Sequence, residues 1–167
     1  MKTYYPINDL NSVVKILSEI SVWGGLTDEQ QAEIYHRLEV GIFKKGEYIF
    51  HKGEQPTHVY IVKCGKIEIV NSDGEGTVRK EVIETGGCFG VIALMAVQTY
   101  AASAITAEDS EVMVLSRQAL LGLYNEDVRL FALLMMNIAR EIARKLTVAD
   151  EALLHYAHEI RNEKSSS

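Results

Sequence analysis

The segment from Cys88 to Ala104, CFGVIALMAVQTYAASA, has the form of a backbone anion site that carries no charged side chain. Gly90 precedes a short apolar run, and the free amides at the start of a helix there could point at a phosphate, aided by the helix dipole. Tyr100 could donate one neutral hydrogen bond, but it cannot offer the positive fork of an arginine. The segment therefore predicts weak anion binding, mainly through the main chain.

The composition limits the classes of function. The chain has 167 residues, which suits one domain with an appended helix, and 47% of them are hydrophobic. A formal net charge of −6 argues against nucleic acid as a direct partner. We expect no membrane span, since apolar runs are short, and the start of the chain lacks an export pattern. With two cysteines in no disulfide-like spacing, a reduced, cytoplasmic setting is predicted.

Along the first two thirds of the chain, the sequence pattern changes from that of helices to that of β-strands. Apolar spacing predicts a helix over Asn8–Ile20, and a capping box at Thr27 and Gln30 predicts a second helix through about Leu38. Short, glycine-punctuated runs follow, and they predict about eight strands. These include 48–50, 59–62, 66–70, 77–84, 101–107 and 111–116. The pattern favours an α+β protein built on an antiparallel β jelly-roll, or double-stranded β-helix.

The last third is predicted to be helical. A short helix should cover Gln118–Tyr124, and Asn125, Glu126 and Asp127 should start a long one. Apolar residues on that long helix recur at alternating spacings of four and three, which is a heptad seam. The seam consists of Met135, Ala139, Ile142, Leu146, Ala149, Leu153, Tyr156 and Ile160. A homodimer through this helix is favoured over docking of the helix on its own barrel alone.

In this order, the elements and motifs resemble a cyclic-nucleotide-binding domain, the sensory domain of catabolite-activator-like proteins. The resemblance covers about Leu26 to Ile160. It rests on the segment Cys88–Ala104, which we call the cassette, together with FKKGEYI, HKGE and VYIVKCGKI, which begin at Phe43, His51 and Val59. It implies an N-terminal helical segment at 1–25, a β-roll at 26–125 and a C-terminal dimerisation helix at 126–164. It also implies a non-catalytic regulatory protein, and the residues suggest no nucleophile–base arrangement of an enzyme.

The cassette departs from the family pattern, F-G-E-x-A-L followed by P-R-x-A, at both charged positions. Val91 stands where the family has the glutamate that binds the ribose 2′-hydroxyl, and Tyr100 where it has the arginine that pairs with the cyclic phosphate. A cyclic nucleotide is therefore a disfavoured ligand, and no other cofactor or metal is expected. The candidate pocket consists of Phe89, Gly90, Val91, Ile92, Ala93, Tyr100, Ala101 and Ala102.

Several alternatives stay open at the level of sequence. The chain could still sense cAMP or cGMP if Arg79, Lys80 or Arg117 entered the pocket. It could sense another small effector, such as haem or a redox signal through Cys88, although a buried structural thiol is the simpler interpretation. It could also be the sensory half of a transcription regulator that lacks its DNA-binding domain. A metal site at His155 and His158 is disfavoured, because no third ligand is evident.

Overall fold

The computed structural model describes residues 2–7, 13, 20–73 and 76–165. Its strands are β1 (Tyr5–Pro6), β2 (Leu38–Phe43), β3 (Tyr48–Phe50), β4 (His58–Cys64), β5 (Ile67–Asp73), β6 (Gly76–Ile83), β7 (Cys88–Phe89), β8 (Ser103–Thr106) and β9 (Ser110–Ser116). Its helices are a 3₁₀ turn (Ser21–Trp23), α1 (Asp28–Tyr35), α2 (Val91–Ala96), α3 (Arg117–Glu126) and α4 (Val128–Ser165).

The strands form two antiparallel sheets, in the orders β1-β2-β9-β4-β7 and β3-β8-β5-β6. Strand β4 shows why its sequence is apolar without alternation. Val59 and Ile61 face a core shared with the helices, whereas Tyr60 and Val62 face the interior of the roll between the sheets. Because side chains alternate along a strand, a strand that is buried on both faces needs apolar residues at every position. The predicted antiparallel jelly-roll is confirmed.

The helix before the roll begins as predicted and ends earlier. Thr27 and Gln30 form a reciprocal capping box, with Gln30 N donating to Thr27 Oγ1 at 3.3 Å and Thr27 N donating to Gln30 Oε1 at 3.0 Å. The extension of this helix through Leu38 is wrong. Leu38 begins strand β2 and pairs with Leu115 of β9, so sheet pairing overrides the helical pattern.

Other differences concern short or missing elements. The sequence did not predict β1, β2 or β7, and β1 shows that the segment 1–25 is not helical throughout. A two-residue strand such as β7 has too few positions to show a period. The predicted helix over Asn8–Ile20 lies outside the described residues except for Val13 and Ile20, which are both buried.

Helix α4 docks on the domain with one part of its length and projects with the other. Leu130, Leu134 and Ile138 are buried in the core shared with the helices. The buried Asn137 side chain donates to the carbonyl oxygens of Val22 at 3.0 Å and of Gly24 at 2.8 Å. From residue 146 to residue 158, every side chain is exposed. The docked stripe therefore ends well before the helix does.

Candidate functional site

The cassette is a strand, a glycine in the left-handed region and a short helix. Gly90 has φ +76° and is the N-cap of α2, and Val97, which follows the last helical residue Ala96, is the C-cap with φ +53°. A Cβ atom on residue 90 would lie 2.8 Å from Cδ2 of Tyr60 and 3.2 Å from the carbonyl oxygen of His58. Two constraints therefore select glycine here, the backbone conformation and the approach of the Tyr60 ring.

All eight residues of the predicted pocket line one cavity of about 270 Å³. Phe50 of β3 and Ile69 of β5, two strands of the same sheet, add to its apolar walls. The residues that the sequence grouped therefore lie together, and their role in ligand binding stays a prediction. A cavity with apolar walls and few polar groups is the usual form of a small-molecule site.

The two substituted positions are part of the protein core. Val91 is 1% exposed and Tyr100 is 4% exposed. The ring of Tyr100 stacks on Phe50, with centroids 3.6 Å apart and planes inclined by 9°. At residue 100, where the resemblance implies a phosphate-binding cation, the structure has an aromatic ring stacked on Phe50.

The hydroxyl of Tyr100 lies on the side of Tyr60 and Thr57, which line a separate cavity that Tyr100 also borders. It is buried and has no hydrogen-bond partner of ordinary geometry among the described residues. Burial raises the pKa of Tyr100 to about 12, and the nearby Tyr60 hydroxyl and Thr57 main chain only partly oppose this rise. The neutral hydrogen bond that Tyr100 could have offered to a phosphate is thus directed away from the cassette.

Of the three basic residues considered as possible pocket residues, only one lines the cassette cavity. Arg79 pairs with Glu68 at 3.1 Å, and Arg117 lies by a different surface pocket next to Pro56. Lys80 lines the cassette cavity.

Sequence reasoning missed two further charged residues of this cavity. Lys145 of α4 and Glu81 of β6 both line it, and Lys145 Nζ lies 2.5 Å from Glu81 Oε1. Sixty-four positions separate them along the chain, so no local spacing could have paired them. This ion pair connects the docked part of the long helix to the rim of the cavity.

The redox and metal alternatives find no geometric support. Cys88 is 6% exposed, and burial raises the pKa of its thiol to about 12, which is opposite to the lowered pKa of a reactive thiolate. His155 and His158 lie on the exposed part of α4. Over the described ranges, no group of three or more His, Cys, Asp or Glu side chains could hold a metal ion. Within the same ranges, no helix is both long enough and apolar enough to cross a membrane.

Comparisons with known proteins agree with the fold. A sequence profile of the cyclic nucleotide-binding domain matches residues 41–127. The chain is 28% identical to the cyclic AMP receptor protein of Thermus thermophilus over 127 residues, which cover 75% of this chain and 57% of that protein. The chain therefore spans little more than half of this relative. It belongs to the cyclic nucleotide-binding domain family.

Solved structures show the same fold at lower identity. A cyclic nucleotide-binding domain from Methylobacillus flagellatus superposes with a TM-score of 0.77 and 14% identity, covering 86% of this chain and 81% of that one. A second structure of the same fold is a triple mutant of the regulatory subunit of a cAMP-independent protein kinase A from Trypanosoma brucei, bound to cAMP. It superposes with a TM-score of 0.66 and 18% identity, over 77% of this chain and 45% of that one.

Proposed function

We propose that this chain is a non-catalytic regulatory module whose cassette binds cAMP and cGMP weakly or not at all. The observation that carries the proposal is the burial of Val91 and Tyr100, with the Tyr100 ring against Phe50 and its hydroxyl facing away from the cassette. Neither side chain presents a charge to a sugar or a phosphate. The cassette segment itself then offers a cyclic nucleotide its main-chain donors near Gly90, and neither of the two family contacts.

The size of the effect follows from the two lost contacts. A hydrogen bond to a charged group contributes about 1.5–3 kcal/mol, so losing two costs about 3–6 kcal/mol. That corresponds to roughly a hundred- to ten-thousand-fold in affinity. A site that was micromolar with both contacts would then bind at about 0.1–10 mM.

Calorimetric titration of the full chain with cAMP and with cGMP tests the proposal. We expect no saturable binding at micromolar concentrations. The variant Val91→Glu/Tyr100→Arg restores both family contacts and should bind at least about a hundredfold more tightly than the parent. Tyr100→Phe is the matched control, since it keeps the ring and adds no charge. Micromolar affinity in the unmodified chain would show that the proposal is wrong.

The trypanosome subunit motivates this design. It is described as cAMP-independent, yet a variant with three substitutions, one of which introduces an arginine, is bound to cAMP. In that protein, a change of a few side chains on an intact fold was compatible with nucleotide binding. The same logic applies to this chain, where the fold and Gly90 are present.

We further propose that α4 pairs with α4 of a second copy. On the predicted seam, Leu146, Leu153 and Tyr156 are 60%, 67% and 64% exposed. Met135 and Ile142 pack partly on the core of their own chain, so the projecting part of the helix would carry the dimer contact. From residue 146 to residue 158, the apolar side chains of that part are exposed and none of the described residues covers them.

Sedimentation equilibrium of the parent chain and of Leu153→Glu tests the dimer. Burying one leucine contributes about 1.5–3 kcal/mol, and the substitution removes it from both helices. We therefore expect the dimer to weaken by roughly a hundredfold or more. Glu151→Gln, an exposed change off the seam, should leave association unchanged. A parent chain that is monomeric at tens of micromolar would refute the pairing.

A further inference from the structure

Two lysines and one glutamate form the charged rim of the cassette cavity. Lys80, Glu81 and Lys145 are the charged side chains among the described residues that line it. These two lysines and one glutamate sum to one net positive charge. Glu81 already forms an ion pair with Lys145, with Lys145 Nζ 2.5 Å from Glu81 Oε1.

The position of Lys80 results from a break in strand pairing. In the β5–β6 ladder, Ile69 pairs with Glu81 and Val70 pairs with Arg79, so Lys80 is left without a partner residue. This is a β-bulge, and bulges re-aim side chains, commonly beside functional sites. Here the bulge allows Lys80 and its neighbour Glu81 to border the same cavity instead of facing opposite sides of the sheet.

The rest of the cavity is mostly apolar, with Gln98 and Thr99 as uncharged polar residues, and it is small. Its walls include Phe50, Ile69, Phe89, Val91 and Ile92. Its volume of about 270 Å³ lies just below the range of about 300–1,000 Å³ that is usual for small-molecule pockets. A compact organic molecule fits this space better than an extended one.

We propose that the cassette cavity binds a small apolar acid, whose anionic group lies between Lys80 and Lys145 and displaces Glu81 from Lys145. This rests on the proposed function, because it assigns a ligand class to the cavity that has lost the contacts for a cyclic nucleotide. The apolar body replaces water along the walls, and the carboxylate neutralises the excess positive charge of the rim.

The exchange couples the cavity to the long helix. Lys145 belongs to α4, so a ligand that takes its ammonium group from Glu81 changes a contact between β6 and the helix that projects from the domain. A ligand shifts a conformational equilibrium only by its differential affinity for the two states. Here the difference is the replacement of one carboxylate partner of Lys145 by another.

Titration with 4-phenylbutyrate and with its neutral analogue 4-phenylbutanamide tests the inference. The two probes share an apolar body and differ in charge. We expect the acid to bind the full chain about tenfold more tightly than the amide. In ¹⁵N spectra, the acid should shift the amide signals of Gly90 and Val91, which line the cavity.

Two variants localise the site. Lys80→Gln/Lys145→Gln should remove the preference for the acid, while Lys66→Gln, which breaks an ion pair with Glu84 outside the cavity lining, should keep it. Ala96→Leu, at an exposed position on the cavity edge, should weaken both probes by filling space.

Equal binding of acid and amide, absence of binding, or an acid preference that survives the double lysine substitution would overturn the inference. None of these results bears on cAMP. Conversely, micromolar cAMP binding would refute the proposed function without changing the comparison between the two probes, so the two failures are distinguishable.

Discussion

Gly90→Ala should destabilise the protein by more than its backbone conformation alone explains. An alanine in the left-handed region costs about 1–2 kcal/mol. At residue 90 the added Cβ would also lie 2.8 Å from the ring of Tyr60. That ring is 3% exposed and stacks on Phe89 at 5.1 Å, so it has little room to move. Overpacking of this kind costs about 1–3 kcal/mol, which gives a total of roughly 2–5 kcal/mol.

Gly53→Ala provides the matched control. Gly53 has φ +88°, similar to Gly90, but a Cβ there would have no atom within 4 Å outside its chain neighbours. Gly53→Ala should therefore destabilise the protein only by the conformational cost of about 1–2 kcal/mol. Urea denaturation followed by the fluorescence of Trp23 measures both variants. If the two substitutions cost the same within about 0.5 kcal/mol, the contact with Tyr60 contributes nothing and the steric reasoning fails.

Two further substitutions, an alkylation test and a pH dependence test other parts of the structure. Tyr100→Phe removes a buried hydroxyl that has no well-formed hydrogen bond, so stability in urea should stay the same or rise by up to about 1 kcal/mol. Cys88, with its pKa raised to about 12, should resist alkylation at pH 8 while exposed Cys64 reacts. Because the folded state keeps the Cys88 proton up to about pH 12 and the unfolded thiol loses it near 9.0, the free energy of unfolding should fall as pH rises between these values. Asn137→Leu leaves the carbonyl of buried Val22 without its donor and should cost about 1–3 kcal/mol by the same denaturation assay.

Local chemistry made the elements around the cassette predictable. Thr27 and Gln30 satisfy each other's backbone amides, which is a fixed-spacing signal that needs no tertiary context. The start of α4 was also readable, because Asp127 accepts hydrogen bonds from the amides of Arg129 and Leu130 as an N-cap does. Each of these features is determined within four residues of the chain.

The charge of the cavity could not be predicted in this way. Lys145 reaches Glu81 only because α4 docks through Leu134 and Asn137 against the domain, which is a tertiary result. The position of Lys80 depends on a β-bulge that the residue types there do not predict. The direction of the Tyr100 side chain depends on its stacking against Phe50, a residue that is distant from it in the sequence. The sequence therefore predicted, through the resemblance, which charged family residues the cassette lacks, but not which charged residues the fold brings to the cavity.

The two losses in the cassette have different physical consequences for the empty domain. Val91 is 1% exposed and belongs to the core shared with the helices, so a glutamate there would bury a charge next to apolar side chains when no ligand is bound. An arginine at residue 100 could keep the contact with Phe50, because a guanidinium stacks on aromatic faces. Restoring the cation alone should therefore be tolerated better than restoring the acid alone. By the same reasoning, the valine contributes to the stability of the unliganded module in a way that the family glutamate cannot, which is consistent with a domain whose structure does not depend on a bound nucleotide.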